Sequence, residues 1–370
     1  MQTGSGRIRP RSMHDRTTTK NKLFAPGSYM PGGSTHQNQR RLAMMKRTKV
    51  LILTASILSL FIMAMPAAAK IKVNMASSYG PAAPVHYGLE KFKELVEKRS
   101  NGEMEVFIHL LGTMGGERDI YEALSSGGVE TAAMGSGDVA IFHPEYLCYE
   151  VPYVIRDVDH FWKFWNGPVG KEINDMLLEK DKVMVVGIVY RGARQLTANK
   201  PIRKPEEMQG IKLRLPEVKP WVEIWKALGA RPTVVPFQEV YMALKTGVAE
   251  AQENPAESIH SLKFYENQKY LIMTEHIHST AKYEISKIWF DTLKPAQQEV
   301  IMTSMKDAAK YANELATEAD KKFLKDLQEK GMTQIIPDKA AFIKAVEPTV
   351  ERLAKELWVP GLYEKVKAIK

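Results

Sequence analysis

Three polar residues in the segment 190–255 have the types and positions expected of an anion-binding site. Arg194 follows a predicted strand and a glycine, Arg214 ends a short predicted strand, and Asn254 follows another strand-like stretch. Strand ends form the rim at which an α/β cleft binds ligands, so we expect these side chains to meet there. Arginine presents a planar fork that matches a carboxylate, and an asparagine amide can donate one further hydrogen bond. A structural ion pair is the alternative role for Arg214.

Motifs of the common enzyme and cofactor sites are absent from the sequence. It contains no GxSxG, HExxH or Walker A motif and no GxGxxG that opens a helix. The nearest candidate is Gly135-Ser136-Gly137-Asp138, which follows a predicted strand and which we interpret as a turn. We therefore expect neither a catalytic residue nor a cofactor.

His276 and His278 are the candidate metal ligands. Residues two apart on a strand project from the same face, as a pair of ligands must. The neighbouring Glu275 points the other way and no third ligand is near, so we interpret both as ordinary hydrogen-bonded histidines and predict no metal site. The single cysteine, Cys148, excludes an internal disulfide and a CxxC site, and we expect it to be a small core residue.

The elements that must position these residues begin with an alternation of strands and helices. Apolar periodicity predicts strands at 71–75, 104–110 and 129–134 and helices at 89–96 and 117–126. The same alternation returns as strands at 183–189, 211–213 and 233–235 and helices at 218–228 and 237–246. Each run predicts a parallel sheet covered by helices, and two such units imply a cleft between them.

The C-terminal part of the chain predicts long helices. Residues 296–330 contain neither glycine nor proline and are rich in Ala, Lys, Glu and Met, which indicates one or two helices long enough to brace two lobes. Two closing helices are predicted at 338–345 and 350–358.

The positive charge of the chain is confined to its N-terminal part. The whole chain has a net charge of +9. Residues 1–49 contain eleven Lys or Arg and one acid, so the net charge of this segment alone exceeds that of the chain. The remainder is close to neutral, so we expect no nucleic-acid partner.

A secretory signal peptide is predicted at 45–69. A basic stub precedes an uncharged run from Val50 to Met65, and Ala67-Ala68-Ala69 provides a small-residue cleavage site. The alternative is a membrane anchor, but the run is shorter than the roughly 20 residues that span a bilayer. We expect a periplasmic protein, with 1–44 as a non-native or disordered extension.

Five motifs follow one another in order along the second half of the chain. They are Gly210-Ile211-Lys212-Leu213-Arg214-Leu215-Pro216, Leu228-Gly229-Ala230, Pro236-Phe237-Gln238-Glu239-Val240-Tyr241, Ala251-Gln252-Glu253-Asn254-Pro255, and Lys263-Phe264-Tyr265-Glu266 with Thr274-Glu275-His276. These motifs resemble, in the same order, those of the solute receptors of TRAP (tripartite ATP-independent periplasmic) transporters, the DctP family. The resemblance covers essentially all of 70–360.

The resemblance implies a bilobal α/β periplasmic binding protein fold, with two α/β domains around a ligand cleft and long bridging helices. Such a receptor closes on an organic acid and delivers it to the membrane permease subunits of the transporter. It further implies that Arg214 pairs with the ligand carboxylate, that Asn254 supports it, and that Arg194 and Phe237 line the same cavity. Lobe one would comprise 70–191 with 280–319, and lobe two 192–279 with 320–370.

The sequence departs from the sialic-acid branch of that family at two positions. Ala76 and Gly135 align with the Asn and Glu of those receptors, which removes two polar partners of sialic acid. A smaller acid is therefore favoured: a C4-dicarboxylate, a 2-oxo acid or a sugar acid. Arg191 is a further cation that favours a second carboxylate, or it is a surface residue.

Two other functions remain open from the sequence. The same binding fold could serve as the ligand-binding partner of a membrane sensor, and a neighbouring permease gene would favour transport instead. A periplasmic enzyme acting on a carboxylic acid would need a nucleophile with a base in reach, and turnover in an assay would identify it.

Overall fold

The computed structural model of the protein describes residues 40–45 and 69–370. Residues 40–45 are helical and exposed. The other described residues belong to one compact unit, 68–370. Apart from 40–45 and residue 69, the predicted N-terminal extension and signal peptide lie outside the described residues. No helix in the described ranges is long and apolar enough to cross a membrane.

Within 69–370, ten strands form one mixed sheet in the order β2-β1-β3-β9-β4-β7-β5-β6, and β8 pairs with both β4 and β10. The strands are β1 Ile71–Ser77, β2 Met104–His109, β3 Thr131–Met134, β4 Val183–Ala198, β5 Lys212–Leu215, β6 Arg231–Val234, β7 Ala251–Pro255, β8 Tyr270–Ile272, β9 His278–Ser286 and β10 Thr333–Ile335.

Helices cover this sheet and connect its strands. They are α1 Pro84–Arg99, α2 Glu117–Ser126, α3 Gly137–Phe142, α4 Val158–Trp165, α5 Pro168–Asp181, α6 Lys219–Ala227, α7 Val240–Lys245, α8 Ala256–Ser261, α9 Lys287–Phe290, α10 Pro295–Glu329, α11 Lys339–Glu356 and α12 Leu362–Ala368. Short 3-10 turns lie at Pro144–Glu150, Pro205–Met208, Phe237–Glu239 and Phe264–Glu266.

The first α/β unit follows from local sequence signals. β1 pairs in parallel with both β2 and β3. Helix α1 buries the predicted stripe that includes Leu89, Phe92 and Val96. Helix α2 ends at Gly127, whose φ of 83° is the left-handed conformation that glycine adopts without strain. The predicted β-α-β-α-β order of this unit is confirmed.

Strand β4 is longer than the sequence predicted. The prediction ended it at Val189, whereas the strand continues to Ala198. Its register with β9 shifts between Tyr190 and Ala193, and from Arg194 onwards β4 pairs with β7 and β8 instead. An irregularity of this kind bends a strand and redirects its pairing. One strand therefore belongs to both halves of the sheet.

The C-terminal helices differ from the prediction in number. Helix α10 is a single helix of 35 residues that packs against α1, β4 and α8. The predicted pair at 338–345 and 350–358 is wrong, because α11 runs unbroken through Pro348. A proline removes one helical hydrogen bond, and here the buried stripe continues on both sides of it, through Phe342, Val346, Val350 and Leu353.

Cys148 lies in the core, as predicted. It is fully buried in the 3-10 turn Pro144–Glu150 and free of any disulfide. Burial raises the pKa of its thiol, so little of the reactive thiolate forms at neutral pH.

Gly192 and Asp320 meet where β4 passes α10. The φ of Gly192 is 92°, and a Cβ there would lie 2.7 Å from Asp320 Oδ1, so a side chain would not fit. Burial, together with the charges of Glu257 and Glu275, raises the pKa of Asp320 to about 6.

We expect Asp320→Asn to stabilise the protein near neutral pH. An aspartate carboxyl ordinarily has a pKa of 3.8 and the pKa of folded Asp320 is about 6, so the folded state binds the proton more tightly than the unfolded state does. Stability from this group is therefore lost as pH rises through that window. Denaturant titration should show that Asp320→Asn raises the free energy of unfolding by on the order of 1–3 kcal/mol at about pH 7.5 and changes it little at about pH 4. The exposed Glu318→Gln on the same helix is the control, and a loss at both pH values would contradict the prediction.

Candidate functional site

A cavity of about 50 Å³ lies where β4, β5 and β7 approach the segments after β1 and β3. It brings together all four sequence-predicted site residues, and Arg191 lines it too. The lining residues are Tyr79, Glu117, Gly135, Ser136, Arg191, Arg194, Arg214, Pro216, Val218, Trp221, Phe237 and Asn254.

Arg214 is held in the cavity wall by the short strand β5. Leu213 and Leu215 flank it and are fully buried, so the alternation of the strand turns Arg214 to the other face. β5 lies between β6 and β7, both parallel to it, and Pro216 follows the end of the strand. Arg214 was predicted to end this strand, and the strand continues one residue further, to Leu215.

The guanidinium of Arg214 is buried without a counter-charge in direct contact. Only 1% of the residue is exposed, and Nε donates to the carbonyl of Val235 at 2.9 Å. No Asp or Glu in the described ranges forms an ion pair with it. Burial lowers the pKa of Arg214 to about 10, which still leaves the guanidinium charged at neutral pH. The structural ion pair considered for Arg214 is therefore not formed with any of the residues that the structure describes.

Arg194 is placed differently from the prediction. It lies inside β4, because the strand continues past Gly192, and its charge is already paired. Nε donates to Glu253 Oε2 at 2.5 Å and Nη2 donates to Glu253 Oε1 at 2.8 Å. The guanidinium also lies over the ring of Trp221, 4.8 Å from its centre. Arg194 thus lines the cavity as one half of a buried ion pair.

Glu253 also contacts His276, whose Nε2 lies 2.9 Å from Oε2. Burial alone would raise the pKa of Glu253, but Arg194 and His276 outweigh it and lower the pKa to about 2. Burial lowers the pKa of His276, which favours a neutral ring. His278 instead faces Tyr190, with Nδ1 3.0 Å from the hydroxyl. Within 40–45 and 69–370, no group of side chains could hold a metal ion.

Asn254 sits beside Arg194 at the end of β7. Its Oδ1 accepts from Arg194 Nη2 at 3.1 Å, and its Nδ2 donates to Gln252 Oε1 at 2.6 Å. The amide has a second N–H on Nδ2. Asn254 can therefore still donate one hydrogen bond towards the cavity.

Arg191 is buried rather than on the surface, which removes one of its two predicted roles. It is 7% exposed, and Nη2 donates to Glu257 Oε1 at 2.5 Å and to Ser258 Oγ at 2.9 Å. Its guanidinium lies 4.2 Å from the centre of the Tyr79 ring. Like Arg194, it reaches the cavity with its charge already paired.

Phe237 lines the cavity from the 3-10 turn Phe237–Glu239 and is half-buried. It also lines an adjacent groove of about 230 Å³, which shares Glu117, Arg214 and Pro216 with the cavity. The ring therefore stands where the cavity and the groove meet.

The Gly135-Ser136-Gly137-Asp138 segment, interpreted from the sequence as a turn, passes into helix α3 at Gly137. It leads from the cavity to a fully buried group of charges, the Lys282 cluster, which comprises Lys282, Asp138, Glu150 and Glu284. Lys282 Nζ lies 2.8 Å from Asp138 Oδ1. The contact is electrostatic, since neither atom makes a well-directed hydrogen bond in the described structure. Burial raises the pKa of Glu150 and of Glu284, while the charge of Lys282 lowers both. The turn thus ends in a structural ion pair.

Comparison with known protein families shows which family contains this chain. The family of bacterial extracellular solute-binding proteins, family 7, matches residues 75–357, which include every residue that lines the cavity. The chain belongs to this family. The resemblance inferred from the five motifs is confirmed.

Relatives of this solute-binding protein match along most of its length. A solute-binding protein of Roseobacter denitrificans is 31% identical over 265 residues, which cover 72% of this chain and 81% of that one. The 2,3-diketo-L-gulonate-binding periplasmic protein of Escherichia coli is 30% identical and covers 70% of this chain, with 80% of its own length matched.

Solved structures confirm the predicted fold class. A TRAP periplasmic solute-binding protein from Sulfurospirillum deleyianum, with bound succinate, has a TM-score of 0.78 at 27% identity, covering 82% of this chain and all of that one. One from Roseobacter denitrificans, with bound L-galactonate, has a TM-score of 0.76 at 28% identity, covering 81% of this chain and 98% of that one.

Tyr79 and Glu117 are among the residues of the cavity wall that sequence reasoning missed. Tyr79 is buried and its hydroxyl has no hydrogen-bond partner in the described part of the chain. Glu117 opens α2, and its Oε1 accepts from the backbone N–H of Gly135 at 3.3 Å. Burial and the charge of Asp138 raise the pKa of Glu117. A signal was available, since each follows a predicted strand at the edge where ligands bind.

Proposed function

We propose that this protein captures a small organic acid by its carboxylate and delivers it to the permease of a TRAP transporter. The observation that carries the proposal is Arg214, a buried guanidinium in a cavity wall that forms no ion pair in the described structure. An uncompensated buried charge is costly, and a bidentate carboxylate would satisfy both its charge and its donors.

The ligands of the relatives support this class of molecule. 2,3-Diketo-L-gulonate, succinate and L-galactonate, named with the proteins described above, are all small organic acids. They share a carboxylate and differ in the rest of the molecule. We infer that Arg214 takes the shared group and that Arg194, Phe237 and Asn254 line the space around the remainder.

A thermal-shift screen tests the proposal. At about 100 times its Kd an organic acid should stabilise the protein by about 2.7 kcal/mol, which raises Tm by about 5 °C for a chain of this size. A neutral polyol such as galactitol is the control. The acid should also be recovered unchanged, because we propose a receptor and not an enzyme. A screen in which no organic acid raises Tm would contradict the proposal.

We propose that 70–191 with 280–319 forms one lobe and 192–279 with 320–370 the other. The change of partners by β4 beyond Tyr190 supports a boundary there. Residues assigned to different lobes meet at the mouth of the site, where Arg118 Nη2 lies 2.8 Å from Glu217 Oε1.

Ligand binding is expected to bring these lobes together as a hinge motion, because residues from one lobe alone cannot enclose a ligand. Small-angle scattering should give a smaller radius of gyration at a saturating concentration of the acid. An equal radius with and without ligand would argue against two moving lobes.

We further propose export to the periplasm with cleavage before Lys70. The apolar run and its small-residue end support this. Mass spectrometry of the exported chain should give a mass without residues 1–69, whereas a chain that keeps Val50–Met65 would indicate an anchored protein.

A further inference from the structure

The cations around the cavity are not equivalent. Arg191 and Arg194 are each held by a buried carboxylate, Glu257 and Glu253, at 2.5 Å. Among the described residues that line the cavity, Arg214 is the cation without such a partner. The cavity therefore has one charge to offer a ligand.

Among the described residues, the adjacent groove offers no further unpaired cation. Arg118 lines it, but its Nη2 already contacts Glu217 at 2.8 Å. The other charged residues described in that groove, apart from Arg214, are Glu117, Asp119 and Glu217, all acidic. A ligand that extends from Arg214 into the groove thus moves towards negative charge.

Glu117 is fixed at the junction of the cavity and the groove. A Cβ added at Gly135 would lie 2.8 Å from its Oε1, and one added at Gly137 would lie 2.5 Å from its Oε2. Real Cβ atoms do not approach so closely, so the two glycines make room for this carboxyl group. The Gly-Ser-Gly turn singled out in the sequence therefore acts as a cradle for Glu117.

Side chains that can form hydrogen bonds with a ligand hydroxyl lie around the carboxyl group of Glu117. Tyr79 is 3% exposed and its hydroxyl has no hydrogen-bond partner in the part of the chain described. A Cβ at Gly135 would lie 2.9 Å from the Tyr79 hydroxyl, so this hydroxyl and the Glu117 carboxyl group both lie next to Gly135. Ser136 adds a second hydroxyl to the wall. A hydroxyl of the ligand can donate to Glu117 and accept from Tyr79.

We propose that Glu117 selects hydroxylated monocarboxylic acids, such as aldonates, and excludes dicarboxylates. The inference rests on the proposed function, since the ligand carboxylate is placed on Arg214. A ligand hydroxyl gains a charge-assisted hydrogen bond to Glu117. A second ligand carboxylate meets Glu117 at close range, with no unpaired cation to offset the repulsion.

The test compares two series of probes by calorimetry: glycerate, erythronate and gluconate against succinate, malate and fumarate. For the wild type, the tightest binder should be a hydroxylated monocarboxylate. Glu117→Gln keeps the size of the side chain and removes its charge, so the affinity ratio between the best member of each series should fall by about 10- to 100-fold. Glu179→Gln, an exposed acid at the end of α5, should leave the ratio unchanged.

The outcomes separate this inference from the function on which it rests. A dicarboxylate as the tightest wild-type binder, or a ratio within threefold of wild type in a folded Glu117→Gln, overturns the selectivity and leaves the receptor intact. If another organic acid binds but no member of either series does, the selectivity is likewise overturned and the proposed receptor function stands. If no organic acid binds at all, the proposed function fails as well.

Discussion

Arg214→Ala is expected to weaken binding of the organic acid by about 30-fold to several thousand-fold. Removal of Arg214 leaves the ligand carboxylate buried without its counter-charge, and the loss of one partner of such a pair costs roughly 2–5 kcal/mol. At about 1.4 kcal/mol per tenfold change this gives the stated range. Calorimetry on the folded variant measures the change directly.

Two further variants make the Arg214 experiment specific. Arg214→Lys keeps the charge but loses the bidentate fork, so it should recover only part of the affinity. Arg203→Ala is the control, because Arg203 is exposed and does not line the cavity. The expected order is wild type and Arg203→Ala, then Arg214→Lys, then Arg214→Ala. If Arg214→Ala bound within threefold of wild type, Arg214 would not be the carboxylate site.

Lys282→Met is expected to cause a large loss of stability. Lys282 is the cation of the Lys282 cluster, and its removal leaves the fully buried carboxyl group of Asp138 without the counter-charge that lies 2.8 Å away. Breaking a buried pair in this way costs about 3–5 kcal/mol, a large share of the roughly 5–15 kcal/mol that stabilises a typical fold. Thermal unfolding should show a fall in Tm of about 6–15 °C.

The pH dependence and a second substitution test the cause. Lys282 opposes the burial that raises the pKa of Glu150 and of Glu284. Without it these two carboxyl groups hold their protons still more tightly when folded than when unfolded, so the stability deficit grows as pH rises above the ordinary pKa of a glutamate. Lys282→Met with Asp138→Asn should recover part of the loss. Lys287→Met removes an exposed partner of Asp291 and should cost under about 1 kcal/mol. Equal losses for Lys282→Met and Lys287→Met would contradict the argument.

Local signals were enough to predict most of the elements but not how far β4 extends. The helix stripe of α1 and the glycine that ends α2 are set by neighbours in sequence, and both were found. Past Gly192, by contrast, β4 continues because β7 and β8 supply hydrogen bonds from residues that lie far along the chain. Likewise, the buried stripe of α11 carries the helix through Pro348, where the sequence alone suggested a break.

The sequence predicted only some of the residues of the candidate site. Arg214 and Asn254 stand in motifs with a recognisable chemistry, so the sequence pointed to them. The acids that pair with Arg191 and Arg194 lie about sixty residues further along the chain, and only the fold reveals that these two charges are already paired. Glu117 carries no motif of its own, and its position becomes informative once the two glycines are seen around it.

The burial of Cys148 gives this protein a convenient background for thiol chemistry. Its thiol is fully buried and its pKa is raised, so maleimide and methanethiosulfonate reagents should leave the native chain unmodified. Because it is the single cysteine of the sequence, engineered surface cysteines can be labelled selectively without first replacing it. Spin labels or fluorophores placed on the two proposed lobes would then report distances between them in the otherwise unaltered protein.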